Sequence, residues 1–234
     1  MMASSDQPLK LAAIVFDLDG TLADNLPVVM QAYRRTFKQF TGRTYSDADI
    51  VALFGPNVEG IIRREVPHAC DEAVEAFYRA FDQAYREHDV ALPGMGDVLA
   101  ALKQNRIRQA VVTGGSAGSA GITLKHLRLS DYFERVETGS AHGDRKAEAI
   151  AKVVADFGIE PCKAAYVGDS PHDVQAARRA GVVPLAAAWS RSAGHFVDAL
   201  RQVQPLELFV SVAELGRWLE THVDPHCVED TREK

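Results

Sequence analysis

The sequence predicts an α/β fold, in which a doubly wound parallel sheet carries an inserted helical cap domain. Short, continuously apolar segments alternate with segments of helical periodicity, which is typical of strands buried on both faces of a parallel sheet. Residues 25–92 interrupt this alternation with helical patterns and no strand pattern. We therefore expect a core built from residues 1–24 and 93–234 and a cap formed by residues 25–92.

The core elements follow from these apolar runs and from the helical patterns between them. The first run, LAAIVF, is apolar throughout and ends at Asp17. Pro184 weakens the strand pattern of the last run, because proline has no N–H for the hydrogen-bond ladder. The predicted strands are Leu11–Phe16, Gln109–Thr113, Ala164–Val167 and Val182–Ala188, and the predicted helices are Gly96–Lys103, Ser116–Leu127, Lys146–Phe157 and Val174–Ala180.

The insert has four helical patterns separated by glycine and proline. Breaks fall at Gly42, at Gly55-Pro56 and at Pro67, and Pro93-Gly94 closes the segment. Asp24 stands just before the first pattern and is predicted as its N-cap. The four patterns are LPVVMQAYRRTFKQF, SDADIVALF, VEGIIRREV and DEAVEAFYRAFDQAYREH.

Composition excludes several kinds of partner. The net charge of −6 at pH 7 gives no general affinity for nucleic acid or an anionic membrane, so an anionic ligand needs a local cation. No apolar run approaches the length of a membrane span. The three cysteines form no CxxC motif and are odd in number, which favours a reducing compartment. We expect a soluble, cytoplasmic protein.

Polar and charged residues follow the predicted strands at the point where each strand ends. The carboxyl ends of parallel strands meet at one edge of a sheet, so these residues are expected to gather there. A lysine opens the helix before the third of these strands and is expected at the same edge. The residues are Asp17, Asp19, Thr113, Gly114, Lys146, Asp169 and Asp173.

This set has the chemistry of a phosphate site with a divalent cation. Asp17 and Asp19, two residues apart on an extended chain, point to the same side, and Mg²⁺ prefers such carboxylate oxygens. The Thr113 hydroxyl and the N–H groups near Gly114 can donate to phosphate oxygens, and Lys146 supplies a point charge. Phosphoryl transfer depends mostly on positioning and charge stabilisation, which this set provides.

Four segments resemble, in order, the motifs of the haloacid dehalogenase superfamily of phosphohydrolases. They are DLDGT (17–21), VVTGG (111–115), RKAEAI (145–150) and VGDSPHDVQAARRAG (167–181). The resemblance covers nearly the whole chain, and the insert is similar to the cap that follows the superfamily's first motif. The overall pattern looks like the phosphoglycolate-phosphatase-like branch. One departure is Ala147, since the third motif commonly has proline after its lysine.

The resemblance implies a catalytic role for each matching residue. Asp17 would be the nucleophile and form an aspartyl-phosphate. Asp19 would protonate the leaving oxygen and then activate the water that cleaves the intermediate. Thr113, Gly114 and Lys146 would bind the phosphoryl oxygens.

The resemblance also implies Mg²⁺ as the cofactor. Its ligands would be the Asp17 carboxylate, the Asp19 main-chain carbonyl and Asp169. Asp173 would hold metal-bound water or steady Lys146.

Specificity is assigned to the cap, because the core motifs only read the phosphate. The turn Gly55–Asn57 is predicted to dip toward the core. Asn57 and Arg63 are predicted to contact the substrate, Arg63 through a second anionic or hydroxyl group.

The predicted function is Mg²⁺-dependent hydrolysis of a small phosphorylated metabolite, such as phosphoglycolate. A sugar-phosphate mutase would use the same core residues, and a non-catalytic phosphometabolite-binding protein would be expected to lack Asp17 or Asp19. A phosphonate hydrolase needs a cap lysine, and the cap has only Lys38. A dehalogenase would need neither Asp19 nor Asp169.

Overall fold

The computed structural model describes residues 9–191 and 197–224. A six-stranded sheet runs through these residues. Its strands are β1 (Ala13–Phe16), β2 (Arg108–Val112), β3 (Arg135–Glu137), β4 (Ala164–Gly168), β5 (Val183–Ala187) and β6 (Glu207–Phe209). They lie in the order β3-β2-β1-β4-β5-β6, and every neighbouring pair is parallel. The predicted fold class, a doubly wound parallel sheet, is confirmed.

Helices connect the strands and form the insert. They are α1 (Leu26–Thr41), α2 (Asp47–Val51), α3 (Val58–Glu65), α4 (Cys70–Tyr85), α5 (Met95–Gln104), α6 (Ala117–Leu127), α7 (Lys146–Asp156), α8 (Pro171–Arg179), α9 (Val197–Gln202) and α10 (Val212–His222). None of them, within the described ranges, is long and apolar enough to cross a membrane.

The central strand β1 is buried on both faces because its side chains alternate between two cores. Ala13 and Val15 pack with residues of α7 and α8. Ile14 and Phe16 pack with residues of α5, α6 and α10 on the other face. This alternation explains why β1 reads as a continuous apolar run in the sequence.

The helices α1–α4 form the cap, which has its own apolar core. Tyr33 and Phe37 of α1 pack against Phe77 and Phe81 of α4. The Tyr33 and Phe77 ring centroids lie 4.6 Å apart. The cap core is therefore a cluster distinct from the two faces of the sheet.

The sequence prediction missed two edge strands and two helices, and it assigned the wrong role to one residue. Strands β3 and β6 and helices α9 and α10 were not predicted. Pro184 does lie in the sheet, at the second residue of β5, where a missing N–H is tolerated near a strand start. Asp24 is not the N-cap of α1: that position belongs to Asn25, and the buried Asp24 carboxylate pairs with Arg191.

Cys70 and Cys162 are free thiols, and Cys227 lies outside the described residues.

Candidate active site

The predicted site residues lie at the carboxyl end of the sheet, where the strand order reverses. Asp17 directly follows β1, and Asp169 directly follows the neighbouring strand β4. The Asp17 N–H donates to the Val167 carbonyl at 2.9 Å, which holds the first loop against β4. In open α/β sheets this crevice is where ligands bind.

A buried ion pair network forms the floor of the site. The Lys146 ammonium donates to Asp17 Oδ1 at 2.9 Å and to Asp173 Oδ1 at 2.6 Å. Its side chain is only 10% exposed, and those of Asp17 and Asp173 are 6% and 2% exposed. The charges are paired and hydrogen-bonded, and these interactions offset the free-energy cost of burying them.

Asp173 has two functions in this arrangement. Ser170 is the N-cap of α8, and its hydroxyl and N–H donate to Asp173 Oδ2 at 2.6 and 3.0 Å. The other oxygen of Asp173 accepts from Lys146. The capping box thus fixes the carboxylate that orients the lysine.

Lys146 is placed by the start of α7 without the proline that is common in the motif. The Lys146 N–H donates to Asp144 Oδ1 at 3.0 Å. Asp144 also contacts His172 of α8, with 2.7 Å between Oδ2 and the imidazole Nε2. The N-cap residue Arg145 makes no side-chain capping hydrogen bond, and the hydrogen bond to Asp144, the residue before it, holds the first residue of α7 where the motif commonly has proline after the lysine.

The carboxyl groups divide into two kinds by their pKa shifts. Burial, only partly offset by Lys146, raises the pKa of Asp17 to about 7. Burial, with repulsion from Asp173 and Asp17, raises the pKa of Asp169 well above its usual value. Burial also acts on Asp173, but Lys146 and Ser170 outweigh it and lower its pKa. Burial opposes the charge of Lys146, yet Asp17 and Asp173 raise its pKa well above the usual value.

Gly20 makes the close approach of the two loops possible. Its φ is +86°, a conformation that favours glycine. A Cβ at this position would lie 2.0 Å from Asp169 Oδ2. Gly20 therefore allows the loop after β1 to approach Asp169 in the loop after β4.

Asp19 belongs to a separate hydrogen-bond chain that the sequence did not reveal. Asn25 Nδ2 donates to Asp19 Oδ1 at 2.5 Å and lies 2.9 Å from the Tyr85 hydroxyl. The Tyr85 hydroxyl donates to Thr123 Oγ1 at 2.7 Å. Burial raises the pKa of Asp19, and the bond from Asn25 partly opposes the shift. These hydrogen bonds connect Asp19 of the core with Tyr85 of the cap helix α4 and with Thr123 of α6. They orient the Asp19 carboxyl.

Thr113 and Gly114 follow β2 and line the same cavity as the carboxylates. Thr113 is buried, and its hydroxyl accepts from the Gly115 N–H at 3.0 Å. Gly114 and Gly115 also line this cavity, so the turn that follows β2 lies beside Asp17 and Lys146.

The Gly55–Asn57 turn reaches the core, but its side chains are already engaged. Asn57 is the N-cap of α3 and accepts from the Gly60 N–H at 3.0 Å, while its Nδ2 donates to the Gly139 carbonyl at 3.2 Å. Its N–H donates to the Ser140 carbonyl at 3.1 Å. Asn57 thus joins the cap to the core.

Arg63 does not lie in the site. Helix α3 directs Val58 and Ile61 toward the cavity, and Arg63 is exposed on its other face. The prediction that Arg63 contacts the substrate is therefore corrected. The helical repeat places Arg63 on the face of α3 opposite to Val58 and Ile61, which line the cavity.

A cavity of about 360 Å³ lies between the cap and the core. Its core wall includes Asp17, Asp19, Thr113, Lys146 and Asp169. The size is that of a small-molecule site.

Three side chains have the chemistry to hold Mg²⁺. Carboxylate oxygens of Asp17, Asp169 and Asp173 all lie within 4.8 Å of one another. Lys146 alone neutralises this buried group, which leaves excess negative charge when the carboxylates are ionised. Asp19 is outside this group of side chains, and its predicted contribution is a main-chain carbonyl. Oxygen ligands in a negatively charged pocket fit Mg²⁺.

We expect Mg²⁺ to raise the melting temperature more at pH 8 than at pH 5. Because burial raises the pKa of Asp17 to about 7, the folded protein keeps this carboxyl protonated at pH 5, and the stability that this group contributes is lost as pH rises through about 7. The pKa of Asp169 is raised as well, so protons compete with the cation more strongly at low pH. At pH 8 Asp17 is ionised and binds the cation with little competition from protons. Thermal unfolding with and without Mg²⁺ measures the gain.

Asp169→Asn serves as the control and should lose most of the gain at pH 8. Equal gains at both pH values would contradict the assignment of these carboxyls to a metal site.

Comparisons with known proteins agree with the motifs. A family model for haloacid dehalogenase-like hydrolases matches residues 14–187. A phosphoglycolate phosphatase of Chromobacterium violaceum is 31% identical over 188 residues, which cover 75% of this chain and 84% of that protein. Pyrophosphatase PpaX of Anoxybacillus flavithermus is 27% identical over 187 residues, covering 78% of this chain and 86% of that protein. The structure of CbbY from Rhodobacter sphaeroides in complex with phosphate matches this chain with a TM-score of 0.73 and 22% sequence identity. The match covers 88% of this chain and 96% of that chain, and it shows that the two proteins have a similar fold.

Proposed function

The chain belongs to the haloacid dehalogenase-like hydrolase family and is a phosphatase of that family, and we propose that it hydrolyses small phosphomonoesters in a Mg²⁺-dependent reaction. The observation that carries this proposal is the cluster of Asp17, Asp169 and Asp173 around the Lys146 ammonium, at the floor of a cavity between the cap and the core. The names of the relatives, phosphoglycolate phosphatase and pyrophosphatase, support phosphate-ester or phosphoanhydride chemistry.

In the proposed reaction the Asp17 carboxylate attacks phosphorus, and the bond from phosphorus to the leaving oxygen breaks. Asp19 gives its proton to that oxygen, which departs as an alcohol. Asp19 then takes a proton from the water that cleaves the aspartyl-phosphate, so that inorganic phosphate and the free Asp17 carboxylate are restored. The raised pKa of Asp19 supports its role as an acid.

The remaining residues hold the phosphoryl group and the cofactor. Lys146, Thr113 and Gly114 would bind phosphoryl oxygens. Bound Mg²⁺, held by Asp17, Asp169, Asp173 and the Asp19 carbonyl, would neutralise charge on the phosphoryl group. Asp173 also steadies Lys146, the second of the two roles predicted for it.

We propose that residues 25–92 act as the cap that excludes water and selects the substrate. The proposed partner is a small phosphorylated metabolite, since a cavity of about 360 Å³ has the size of a small-molecule site. The cytoplasmic location stays a prediction from the cysteine pattern.

We expect the purified protein to release inorganic phosphate from small phosphomonoesters when Mg²⁺ is present. EDTA should stop the release, because the carboxylate cluster then repels the anionic ester, and added Mg²⁺ should restore it. A phosphate assay combined with product analysis measures this. Activity that is indifferent to EDTA would contradict the metal site, and an isomerised sugar phosphate without phosphate release would identify a mutase.

A further inference from the structure

The two walls of the cavity differ in chemistry. The core wall carries the carboxylates and Lys146. The cap wall is built from aliphatic and aromatic side chains together with Asn57. Among the lining residues of the described chain, the cap supplies no charged group. The cap residues that carry most of this apolar wall are Leu26, Val29, Val51, Phe54, Ile61 and Phe77.

The polar atoms of the cap wall are few. Asn57 uses its amide oxygen on Gly60 and its amide nitrogen on Gly139, as described above. The Tyr33 hydroxyl is the other polar side-chain group that the cap contributes to the lining. A carboxylate or second phosphate on the substrate would therefore lose its water at this wall without gaining a cation.

Two large apolar side chains of this wall are only partly covered by protein. Phe54 is 43% exposed and Val51 is 47% exposed, although both line the cavity. Phe54 packs only loosely on Tyr33, with 6.4 Å between the ring centroids. An apolar group bound in the cavity would cover them and gain the free energy of removing that surface from water.

Resting on the proposed phosphatase function, we infer that the leaving group of the natural substrate is uncharged and predominantly apolar. The substrate class is the phosphate monoester of an alkyl or arylalkyl alcohol. Phosphorylated acids, which carry a second anionic group, are disfavoured by the same wall.

Three esters with a similar demand for protonation of the leaving oxygen test this inference. Benzyl phosphate, 2-phosphoglycolate and methyl phosphate each release an alcohol from a saturated carbon. We expect kcat/KM for benzyl phosphate to exceed that for 2-phosphoglycolate by about 10–100-fold, the effect of burying a phenyl group in place of a carboxylate.

Variants of Phe54 link the preference to the cap wall. Phe54→Ala should lower the benzyl-to-methyl ratio of kcat/KM by about five- to tenfold, because it removes the ring that the substrate covers. Phe54→Arg should raise the 2-phosphoglycolate-to-methyl ratio by about tenfold, because it supplies the missing cation. Leu206→Ala is the matched control: Leu206 is 51% exposed just before β6, away from the cavity, and neither ratio should change.

The outcomes separate this inference from the function on which it rests. Hydrolysis of 2-phosphoglycolate as efficient as that of benzyl phosphate would overturn the inference and leave the phosphatase function intact. Unchanged ratios in both Phe54 variants would also overturn it. Failure to hydrolyse any of the three esters with Mg²⁺ would overturn the phosphatase function and the inference together.

Discussion

Asp17→Asn is expected to lower kcat for phosphomonoesters by at least about a thousandfold, because an amide cannot act as the nucleophile on phosphorus. Asp17 stands at the end of β1, is almost fully buried, and has its Oδ1 held by Lys146 at 2.9 Å. Asp173, the other carboxylate that contacts Lys146, is not free to replace it, since its two oxygens are engaged with Lys146 and Ser170. Initial rates with p-nitrophenyl phosphate and Mg²⁺ measure the loss.

The same variant should remain folded. Asparagine has the shape of aspartate, and it removes a carboxyl whose pKa burial has raised to about 7. Above that pH the ionised Asp17 of the wild type opposes folding when no metal is bound, so the metal-free variant at pH 8 should melt no lower than the wild type.

Asp97→Asn is the matched control for this variant. Asp97 is exposed in the first turn of α5 and makes no contact with the site, so its activity should equal that of the wild type. A folded Asp17→Asn protein that keeps more than a few per cent of wild-type activity would exclude Asp17 as the nucleophile.

The buried strands could be predicted because each of them gives a short, continuous apolar run in the sequence. β1 is apolar at every position since both of its faces are covered, and β4 shows the same pattern. The edge strands β3 and β6 have three residues each, and their exposed positions include Arg135 and Glu207. Such short, half-exposed strands carry no periodic signal, and only the sheet itself defines them.

Helix α10 could have been predicted from its start signal. Ser211 is its N-cap, and Glu214 follows three residues later, with the Glu214 carboxylate accepting from the Val210 N–H at 2.9 Å. A serine followed at this spacing by glutamate before an apolar run is a sequence signature of a helix start.

The core of the candidate site could be predicted because a parallel topology fixes which residues meet. Asp17 and Asp169 both follow strands, and strand ends share one edge of the sheet. The chain from Asp19 through Asn25 to Tyr85 could not be predicted, because it depends on where the cap lies relative to the core. The prediction for Arg63 was wrong for a related reason. Its distance in sequence from the Gly55–Asn57 turn does not determine which face of α3 packs against the rest of the protein.

Lys146→Met should reduce both activity and stability. It removes the ammonium that would bind a phosphoryl oxygen, and we expect kcat/KM to fall by about a hundredfold or more. It also leaves Asp17 and Asp173 buried without their cation, and breaking a buried pair in this way costs about 3–5 kcal/mol of unfolding free energy. Denaturant unfolding in EDTA, which excludes metal effects, measures the second loss.

Lys152→Met is the matched control for stability. Lys152 lies on the same helix, but its side chain is 59% exposed and contacts Glu137 at the surface. Its removal should leave the unfolding free energy close to that of the wild type, since exposed ion pairs contribute little.

The pH dependence of the Lys146→Met effect identifies its cause. The raised pKa of Lys146 means that its contribution is fully present below its unfolded pKa and is lost only as pH rises through the higher folded value. The lowered pKa of Asp173 means that its contribution is present above its unfolded pKa and is lost as pH falls through the folded value.

At pH 8 both contributions are therefore complete in the wild type, and the variant shows its full loss of unfolding free energy. As pH falls toward 4, Asp17 and Asp173 of the variant take up protons, and the difference from the wild type should narrow. A difference that stays constant from pH 8 to pH 4 would show that Lys146 stabilises the fold through the packing of its aliphatic stem, and that the buried charges are not what it compensates.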